Sequence, residues 1–226
     1  MNLVDSEVRI IDADPEEIML GKLERIGRVA YKSEDRMTVD SAAPFIASII
    51  RRGHESVLEH CSITALLVTD RATANALVRH RIAAYTQEST IYCNYGRKGE
   101  IMVRTPFFLA GKPGPQMIWK NAMKYAEGAY MALLAAGCPP SEARDVLPLA
   151  TKTELIATYN IREWRHVFRV RAAPGDSWGI HLVMAETLKA FRAMYPVLFG
   201  DITWPASYVG ALTKNASWEE EHEDND

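Results

Sequence analysis

The amino-acid sequence predicts an α+β fold in which an antiparallel or mixed sheet packs with long helices. Short runs rich in β-branched residues indicate strands, and longer stretches with apolar residues at helical spacing indicate amphipathic helices. These elements do not alternate regularly, as they would in a parallel α/β fold. With 226 residues, of which 48% are hydrophobic, the chain is long enough to bury one sizeable core.

Each predicted strand is an apolar or β-branched run bounded by polar residues. The strands are expected at residues 8–11, 62–69, 101–104 and 153–159. The polar run at residues 12–17 is expected to cap a first helix that extends to about residue 29. Further helices are expected at residues 116–136, 142–146, 162–171 and 180–198.

Capping residues and glycines set the other helix boundaries. Thr38 or Asp40 caps a second helix, which Gly53 ends. Asp70 caps a third helix, which we expect to run into three consecutive cationic residues. The helix at residues 116–136 is amphipathic, and its apolar positions include Ile118, Tyr125, Ala129 and Leu133.

We expect one catalytic domain over residues 1–213 and a disordered acidic tail over residues 214–226. The amino terminus has no apolar segment typical of a secretion signal, and no run is long enough to span a bilayer. Three widely spaced cysteines suit neither a disulfide framework nor a zinc cage. A cytoplasmic protein that does not enter a membrane is expected.

The charge balance argues against a nucleic-acid-binding protein. A formal net charge of −3 and an isoelectric point near 6.1 provide no global attraction to a polyanion. Any anion-binding site must therefore be local.

The strongest local candidate is the cationic triplet Arg79, His80 and Arg81, which is followed by the polar run at residues 86–90. Guanidinium groups bind phosphate with two parallel hydrogen bonds. On a helix, Arg79 and Arg81 would point to nearly opposite sides and serve two ligands or two subunits. Alternatively, cations near a helix carboxyl end simply complement the helix dipole. Spacing does not decide between these interpretations.

The segment at residues 54–60 resembles a metal site only superficially. His54 and His60 are six residues apart, whereas the helical zinc motif needs a spacing of four, so we expect no metal. Ser56 and Glu59 either hold a ligand at the edge of the following strand or are ordinary surface residues.

Arg162, His166 and Arg169 fall near one face of the predicted helix at residues 162–171, which is by default an exposed basic face. Trp164 and Phe168 are expected in the core. Arg144, taken alone, indicates no more than a surface charge. Cys93 lies near the cationic segment and is either a nucleophile or, as we favour, an ordinary small buried side chain.

Arg79-His80-Arg81, then seven residues, then Ser89 is the signature of flavin-dependent thymidylate synthases, and the chain resembles that family. Other matching residues occur in the expected order and spacing. They are His54, Ser56, Glu59, His60, Arg144, Asn160, Arg162, His166 and Arg171. The resemblance covers about residues 28–200.

The resemblance implies the flavin-dependent thymidylate synthase fold, assembled as a homotetramer with active sites at subunit interfaces. It implies bound FAD and the conversion of dUMP to dTMP. Methylenetetrahydrofolate would supply the carbon and NADPH would reduce the flavin. No cysteine nucleophile is required.

The resemblance also implies roles for individual residues. The flavin would be bound by Ser56, Arg79, His80, Arg81, Asn160, Arg162 and His166, with Gln87 between flavin and nucleotide. The nucleotide would be bound by Arg79, Gln87, Glu88, Ser89, Thr90 and Arg144. Arg171 would face the pyrimidine and favour its ionised form, as a preorganised cation stabilises developing charge. His54 would lie near the folate.

Four positions depart from the family pattern. Ile91 replaces a frequent phosphate-binding arginine, and the others are Ala30, Ala84 and Thr86. Losing a charge-assisted hydrogen bond weakens binding about ten- to a hundredfold unless another cation replaces it. Arg97 and Lys98 are the candidates for that replacement.

Three alternatives remain at this point. The first is a related enzyme that acts on UMP or another uridylate or delivers another one-carbon group. The second is a nucleic-acid-binding module with Tyr85, Tyr92 and Tyr95 as stacking platforms. The third is a relative that keeps flavin but has lost turnover.

Overall fold

The computed structural model describes residues 1–172 and 177–204, without the side chain of Lys98. The described strands are β1 (Asn2–Val4), β2 (Glu7–Asp12), β3 (Ser62–Asp70), β4 (Ala83–Gln87), β5 (Met102–Arg104) and β6 (Lys152–Asn160). The described helices are α1 (Glu16–Val29), α2 (Ala42–Arg51), α3 (Arg71–Leu77), α4 (Pro113–Ala135), α5 (Pro140–Ala143), α6 (Ile161–Arg171), α7 (Trp178–Met194) and α8 (Pro196–Phe199). The α+β prediction is confirmed.

The chain divides into two compact units. Among the described residues, the smaller unit contains residues 1–5 and 89–152, and the larger contains residues 6–88 and 153–204. Compact units need not be separate domains, so one domain over residues 1–213 stays a prediction. The acidic tail predicted at residues 214–226 lies outside the described residues.

In the larger unit, β2, β3, β6 and β4 form a sheet in that order. β2 pairs antiparallel with β3, and β4 pairs antiparallel with β6. The core of this unit contains Trp164 and Phe168, both fully buried as predicted, with the Trp164 and Phe191 rings 4.8 Å apart. The Trp164 indole N–H donates to the Ile63 carbonyl at 2.9 Å, which attaches α6 to β3.

In the smaller unit, β1 pairs parallel with β5, and a separate core surrounds the fully buried Tyr130. The long helix α4 is present, but of its four predicted apolar positions only the partly buried Leu133 packs against this core. Ile118 is 71% exposed and Tyr125 is 84% exposed, whereas Met123 and Tyr130 are buried. Spacing identified the helix but not the face that is buried.

Several helix boundaries follow from single residues. Asp70 Oδ1 accepts the Thr73 N–H at 2.6 Å and caps α3 as predicted. Gly53 has φ of 71°, and the N–H groups of Gly53 and His54 donate back to the last turn of α2, as in a Schellman motif. Gly53 thus terminates α2, as predicted.

Other boundary predictions were wrong in part. α1 begins within the polar run at residues 12–17 and ends at Val29 as predicted, but its N-cap Pro15 makes no side-chain capping bond. α2 has Ser41 at its N-cap instead of Thr38 or Asp40, also without such a bond. The helix predicted at residues 180–198 is interrupted at Tyr195, because Pro196 disfavours helical backbone in the preceding residue. The helix expected at residues 142–146 is α5 followed by a 3-10 turn, Arg144–Val146.

β1 and β4 were not predicted, and α3 ends earlier than expected. α3 stops at Leu77, so the cationic triplet is not helical, and the argument that placed Arg79 and Arg81 on opposite sides of a helix was wrong. β4 is short and partly polar, and its extended form depends on pairing with β6. None of the helices in the described ranges is long and apolar enough to cross a bilayer.

Candidate active site

The cationic triplet lies in the turn between α3 and β4. The Tyr85 hydroxyl is 2.8 Å from the Leu77 carbonyl oxygen and 3.0 Å from that of His80, and it donates its proton to this pair. It is also 2.8 Å from the Tyr159 hydroxyl on β6. Burial raises the pKa of both tyrosines, so both hydroxyls keep their protons near neutral pH. The sheet therefore anchors the turn through two tyrosines.

Arg79 and Arg81 are exposed, and neither has a hydrogen bond or an ion pair with the residues described here. Neither therefore caps the end of α3 with a hydrogen bond, but both cations follow its carboxyl end, so the helix-dipole interpretation of the triplet stays open. Two unpaired guanidinium groups in one turn suit an anionic ligand.

Arg171, at the end of α6, makes the contact to α3 instead. One terminal guanidinium nitrogen donates to the Ala76 carbonyl at 2.8 Å, and Nε donates to His80 Nε2 at 2.9 Å. The His80 side chain is 8% exposed. Two acceptors thus fix the orientation of the Arg171 guanidinium.

The beginning of α6 adds further polar groups to this region. Asn160 Oδ1 accepts the Glu163 N–H at 2.8 Å and caps the helix. The His166 and His80 rings are 6.0 Å apart and nearly perpendicular. Glu163 lies 3.7 Å from His80 Nδ1, and burial raises its pKa although His166 and Arg162 oppose that effect. The structure thus brings together His80, His166 and Arg171, three of the predicted residues.

His80, Glu163 and His166 also satisfy a distance criterion for a metal site, because one potential ligand atom from each lies within 4.8 Å of the others. The hydrogen bond from Arg171 argues against that use. A guanidinium can only donate, so His80 Nε2 must accept and the ring proton must be on Nδ1. Nδ1 then has no lone pair for a metal.

The predicted basic face of α6 is exposed, but its members have different partners. Arg162 pairs with Glu59, which attaches α6 to the 3-10 turn Glu55–His60. Arg169 pairs with Glu55 at 2.6 Å, and the buried Arg165 also contacts that carboxylate at 3.1 Å. Burial alone would raise the pKa of Glu55, but the two guanidiniums outweigh it and lower the pKa. Arg169 therefore belongs to a structural ion-pair network.

Ser56 and His54 lie at the same turn, and both are exposed. Among the described residues, neither of them makes a hydrogen bond or an ion pair with the triplet. The ion pair between Arg162 and Glu59 joins this turn to α6. Arg162 is itself one of the predicted flavin-binding residues. Glu59 thus has an exposed ion pair with α6, which is compatible with either interpretation of this residue.

Gln87 is the last residue of β4 and Glu88 follows it, and both are half-buried. Gln87 Nε2 donates to Thr153 Oγ1 at 3.3 Å, and a Glu88 carboxylate oxygen accepts the Glu154 N–H at 3.2 Å. Arg71 donates to the Glu88 carbonyl at 3.2 Å. These contacts order the backbone that leads into Ser89.

In the smaller unit, Arg144 donates to Thr90 Oγ1 at 3.3 Å and to the Ser141 carbonyl at 3.1 Å. Thr90 is 7% exposed, and Arg144 is half-buried rather than a free surface charge. Ser89 Oγ accepts the Ile91 N–H at 3.2 Å. Arg144, Ser89 and Thr90 thus form a second polar group, which contains three predicted nucleotide-binding residues.

The other residues near Ser89 have simpler environments. The Ile91 side chain is 44% exposed. Cys93 is half-buried, and its N–H donates to the Ser89 carbonyl at 3.0 Å. Arg97 is exposed.

Sequence reasoning missed Glu163, Tyr159 and the structural role of Tyr85. Asn160 and Glu163 have the spacing of a capping box, a pattern that the sequence already contained. The contact of Glu163 with His80 has no such pattern, because the two residues are distant in the chain.

Residues 14–197 match the family model for thymidylate synthase complementing protein. Several curated relatives carry the name flavin-dependent thymidylate synthase. The relative from Geobacter sulfurreducens is 34% identical over 168 residues, which cover 74% of this chain and 72% of the relative. The relative from Mycobacterium avium is 32% identical over 197 residues, which cover 79% and 78%.

A similar crystal structure is that of a UMP/dUMP methylase, PolB from Streptomyces cacaoi, bound with 5-Br dUMP. The TM-score is 0.72 at 26% sequence identity. The similarity covers 88% of this chain and 96% of PolB.

Proposed function

The chain belongs to the thymidylate synthase complementing protein family, the flavin-dependent thymidylate synthases, and we propose that it methylates dUMP to dTMP. Methylenetetrahydrofolate is the proposed carbon donor and NADPH the proposed reductant. The observation that carries this proposal is the turn after α3. There, Arg79 and Arg81, which have no partner among the described residues, flank His80 in the sequence, and His80 receives a hydrogen bond from Arg171.

The residues around the triplet fit FAD as the flavin. Its pyrophosphate is an anion, and the exposed Arg79, Arg81 and Arg162 are the cations that would balance it. The residues proposed to hold FAD are Ser56, Arg79, His80, Arg81, Asn160, Arg162 and His166, with Gln87 adjoining the nucleotide. Asn160 uses Oδ1 as a helix cap, which leaves its amide N–H groups for a ligand. When bound, reduced flavin supplies the hydride.

We assign the nucleotide to Arg79, Gln87, Glu88, Ser89, Thr90 and Arg144. The half-buried Arg144, fixed by Thr90 and Ser141, is the proposed contact to the phosphate. An arginine that is already oriented loses less conformational freedom on binding. His54 is the proposed folate contact.

Arg171 is the proposed catalytic residue. Two acceptors fix its guanidinium, so it need not reorganise when negative charge develops on the pyrimidine. Its role is to stabilise the ionised base, and no cysteine takes part.

We propose a cytoplasmic homotetramer with active sites at subunit interfaces. The exposed apolar side chains of α4, among them Met117, Ile118 and Tyr125, support an assembly. The mass of the native protein by light scattering checks the tetramer.

A second candidate is methylation of UMP, since PolB, at 26% identity, is described as acting on UMP and dUMP. The described tyrosines do not favour the alternative of a nucleic-acid-binding module. Of its three tyrosines, Tyr92 is 87% exposed, but Tyr95 is buried and Tyr85 is engaged in hydrogen bonds. The stacking platform is therefore not formed.

Spectroscopy of the purified protein tests the flavin assignment, because bound oxidised flavin absorbs visible light. A folded sample that fails to bind FAD in titration contradicts the proposal. Incubation with methylenetetrahydrofolate, NADPH and either dUMP or UMP then identifies the substrate by chromatography of the methylated nucleotide. A flavin-binding sample without product from either nucleotide would indicate a relative that has lost turnover.

A further inference from the structure

Glu163 is a polar residue of this region that has no role in the proposed function. It lies in the first turn of α6, its side chain is 14% exposed, and its carboxylate is 3.7 Å from His80 Nδ1. His166 and Arg162 act on it electrostatically, and burial acts against its charge. A carboxylate half-buried among histidines needs an explanation beyond surface charge.

The hydrogen bond between Arg171 and His80 restricts the protonation of the imidazole ring. Since Arg171 Nε donates, His80 Nε2 must be an acceptor, and the ring cannot be an imidazolium. The single ring proton is then on Nδ1. The other neutral tautomer would place two N–H groups against each other at 2.9 Å.

The Nδ1–H group lies 3.7 Å from a carboxylate oxygen of Glu163. A negative charge near Nδ1 stabilises a proton on that nitrogen relative to Nε2. The same arrangement is known from metal sites, where a partner of one ring nitrogen sets the state of the other.

We propose that Glu163 is a positioning residue, whose carboxylate keeps the His80 proton on Nδ1 so that Nε2 accepts the hydrogen bond that orients Arg171. The effect on turnover rests on the proposed function of Arg171. The tautomer of His80 does not depend on that function.

An alternative role for Glu163 is purely structural, because an acidic residue in a first helical turn stabilises the helix dipole. Glu17 provides a matched control. It is an exposed acid in the first turn of α1, and it makes no contact with His80 in the described part of the chain. Glu17→Gln removes a first-turn charge and leaves the region of His80 unchanged.

The direct test is nitrogen NMR of the flavin-free chain labelled with 15N at histidine, which distinguishes protonated from unprotonated ring nitrogens. The His80 signals, among those of six histidines, are identified by their loss in His80→Gln. We expect Nδ1 protonated and Nε2 unprotonated in the wild type at about pH 8.5, where exposed histidines are neutral. We expect the Nε2–H tautomer to become populated in Glu163→Gln but not in Glu17→Gln.

The kinetic test compares the same variants with FAD bound. Glu163→Gln should lower kcat about fivefold at saturating dUMP, the effect of losing one ordinary hydrogen bond, with KM changed less. Glu163→Asp, which keeps the charge, should recover part of that loss. Glu17→Gln should keep wild-type kcat.

Two results would overturn the proposal. The first is a wild-type His80 that carries a proton on Nε2, a measurement that requires no variant to fold. The second is an unchanged tautomer in folded Glu163→Gln, which would leave Glu163 as a helix-stabilising acid. A shifted tautomer with unchanged kcat would support the role of Glu163 toward His80 and contradict the catalytic role of Arg171.

Discussion

Replacing Tyr85 by phenylalanine removes one hydroxyl that serves three partners at the turn that carries the triplet. The hydroxyl contacts the Leu77 and His80 carbonyls and the Tyr159 hydroxyl, at 2.8 to 3.0 Å. The ring itself remains, so packing changes little. The substitution therefore tests how much the hydrogen bonds contribute to the stability of the turn.

The two tyrosines should contribute unequally. Tyr85→Phe leaves the Tyr159 hydroxyl, on a side chain that is 1% exposed, without its partner, and it removes the donor to the two carbonyls. An unsatisfied buried polar group costs about 1–3 kcal/mol, so we expect a loss of about 2–3 kcal/mol. Tyr159→Phe removes one hydrogen bond but leaves Tyr85 able to donate, for a loss of about 1 kcal/mol.

The double variant should lose less than the sum of the single losses. Without either hydroxyl no phenol is left unsatisfied, so we expect the double variant to be about 1 kcal/mol more stable than additivity predicts. Urea unfolding of the four flavin-free proteins, followed by circular dichroism, measures each free energy. Additivity within about 0.5 kcal/mol would refute the inferred hydrogen bond between the tyrosines.

Four further predictions concern pH and individual residues. Burial raises the pKa of Tyr159 above its ordinary value of 10. Above about pH 10 this tyrosine ionises in the unfolded chain but stays protonated in the folded protein, so the free energy of unfolding falls as the pH rises. Unfolding measured from pH 8 to about 11 should show this loss, and Tyr159→Phe should reduce it. Arg171→Ala should lower turnover at saturating dUMP, and a raised KM with an unchanged saturated rate would indicate a binding role instead. Ile91→Arg should tighten dUMP about five- to thirtyfold by calorimetry but leave uncharged deoxyuridine unaffected, and equal dUMP affinities would mean that residue 91 does not face the phosphate. Cys93→Ala should keep most of the turnover, and lost methylation with intact flavin and nucleotide binding would restore the thiolate hypothesis.

Sequence patterns identified the elements whose conformation depends on neighbours in the chain. The strands β3 and β6 and the helix α6 were predicted to within two residues, because each has an apolar pattern bounded by polar residues. Asp70 and Gly53 were assigned correctly since a cap and a left-handed glycine act within one helical turn. The spacing of the triplet and Ser89 likewise identified the family.

The tertiary structure decided which of the predicted residues act on each other. Arg171 and His80 are 91 residues apart in the chain, and Arg162 and Glu59 are 103 apart. The pairing of β4 with β6 places Tyr85 and Tyr159 side by side, although β4 lacks a strong strand pattern of its own. The tertiary structure also decided two points on which the predictions were wrong. Apolar residues of α4 are exposed, and the cationic triplet lies outside α3.

The sequence alone therefore determined local conformation, the family and the residue types available for chemistry. Only the folded chain determined that Arg79 and Arg81 are left unpaired, in the part of the molecule described, while Arg171 is fixed by His80. The physical reason is range. Helix caps, turns and hydrophobic periodicity are set within a few residues, whereas the partner of a guanidinium depends on which distant strands and helices pack together.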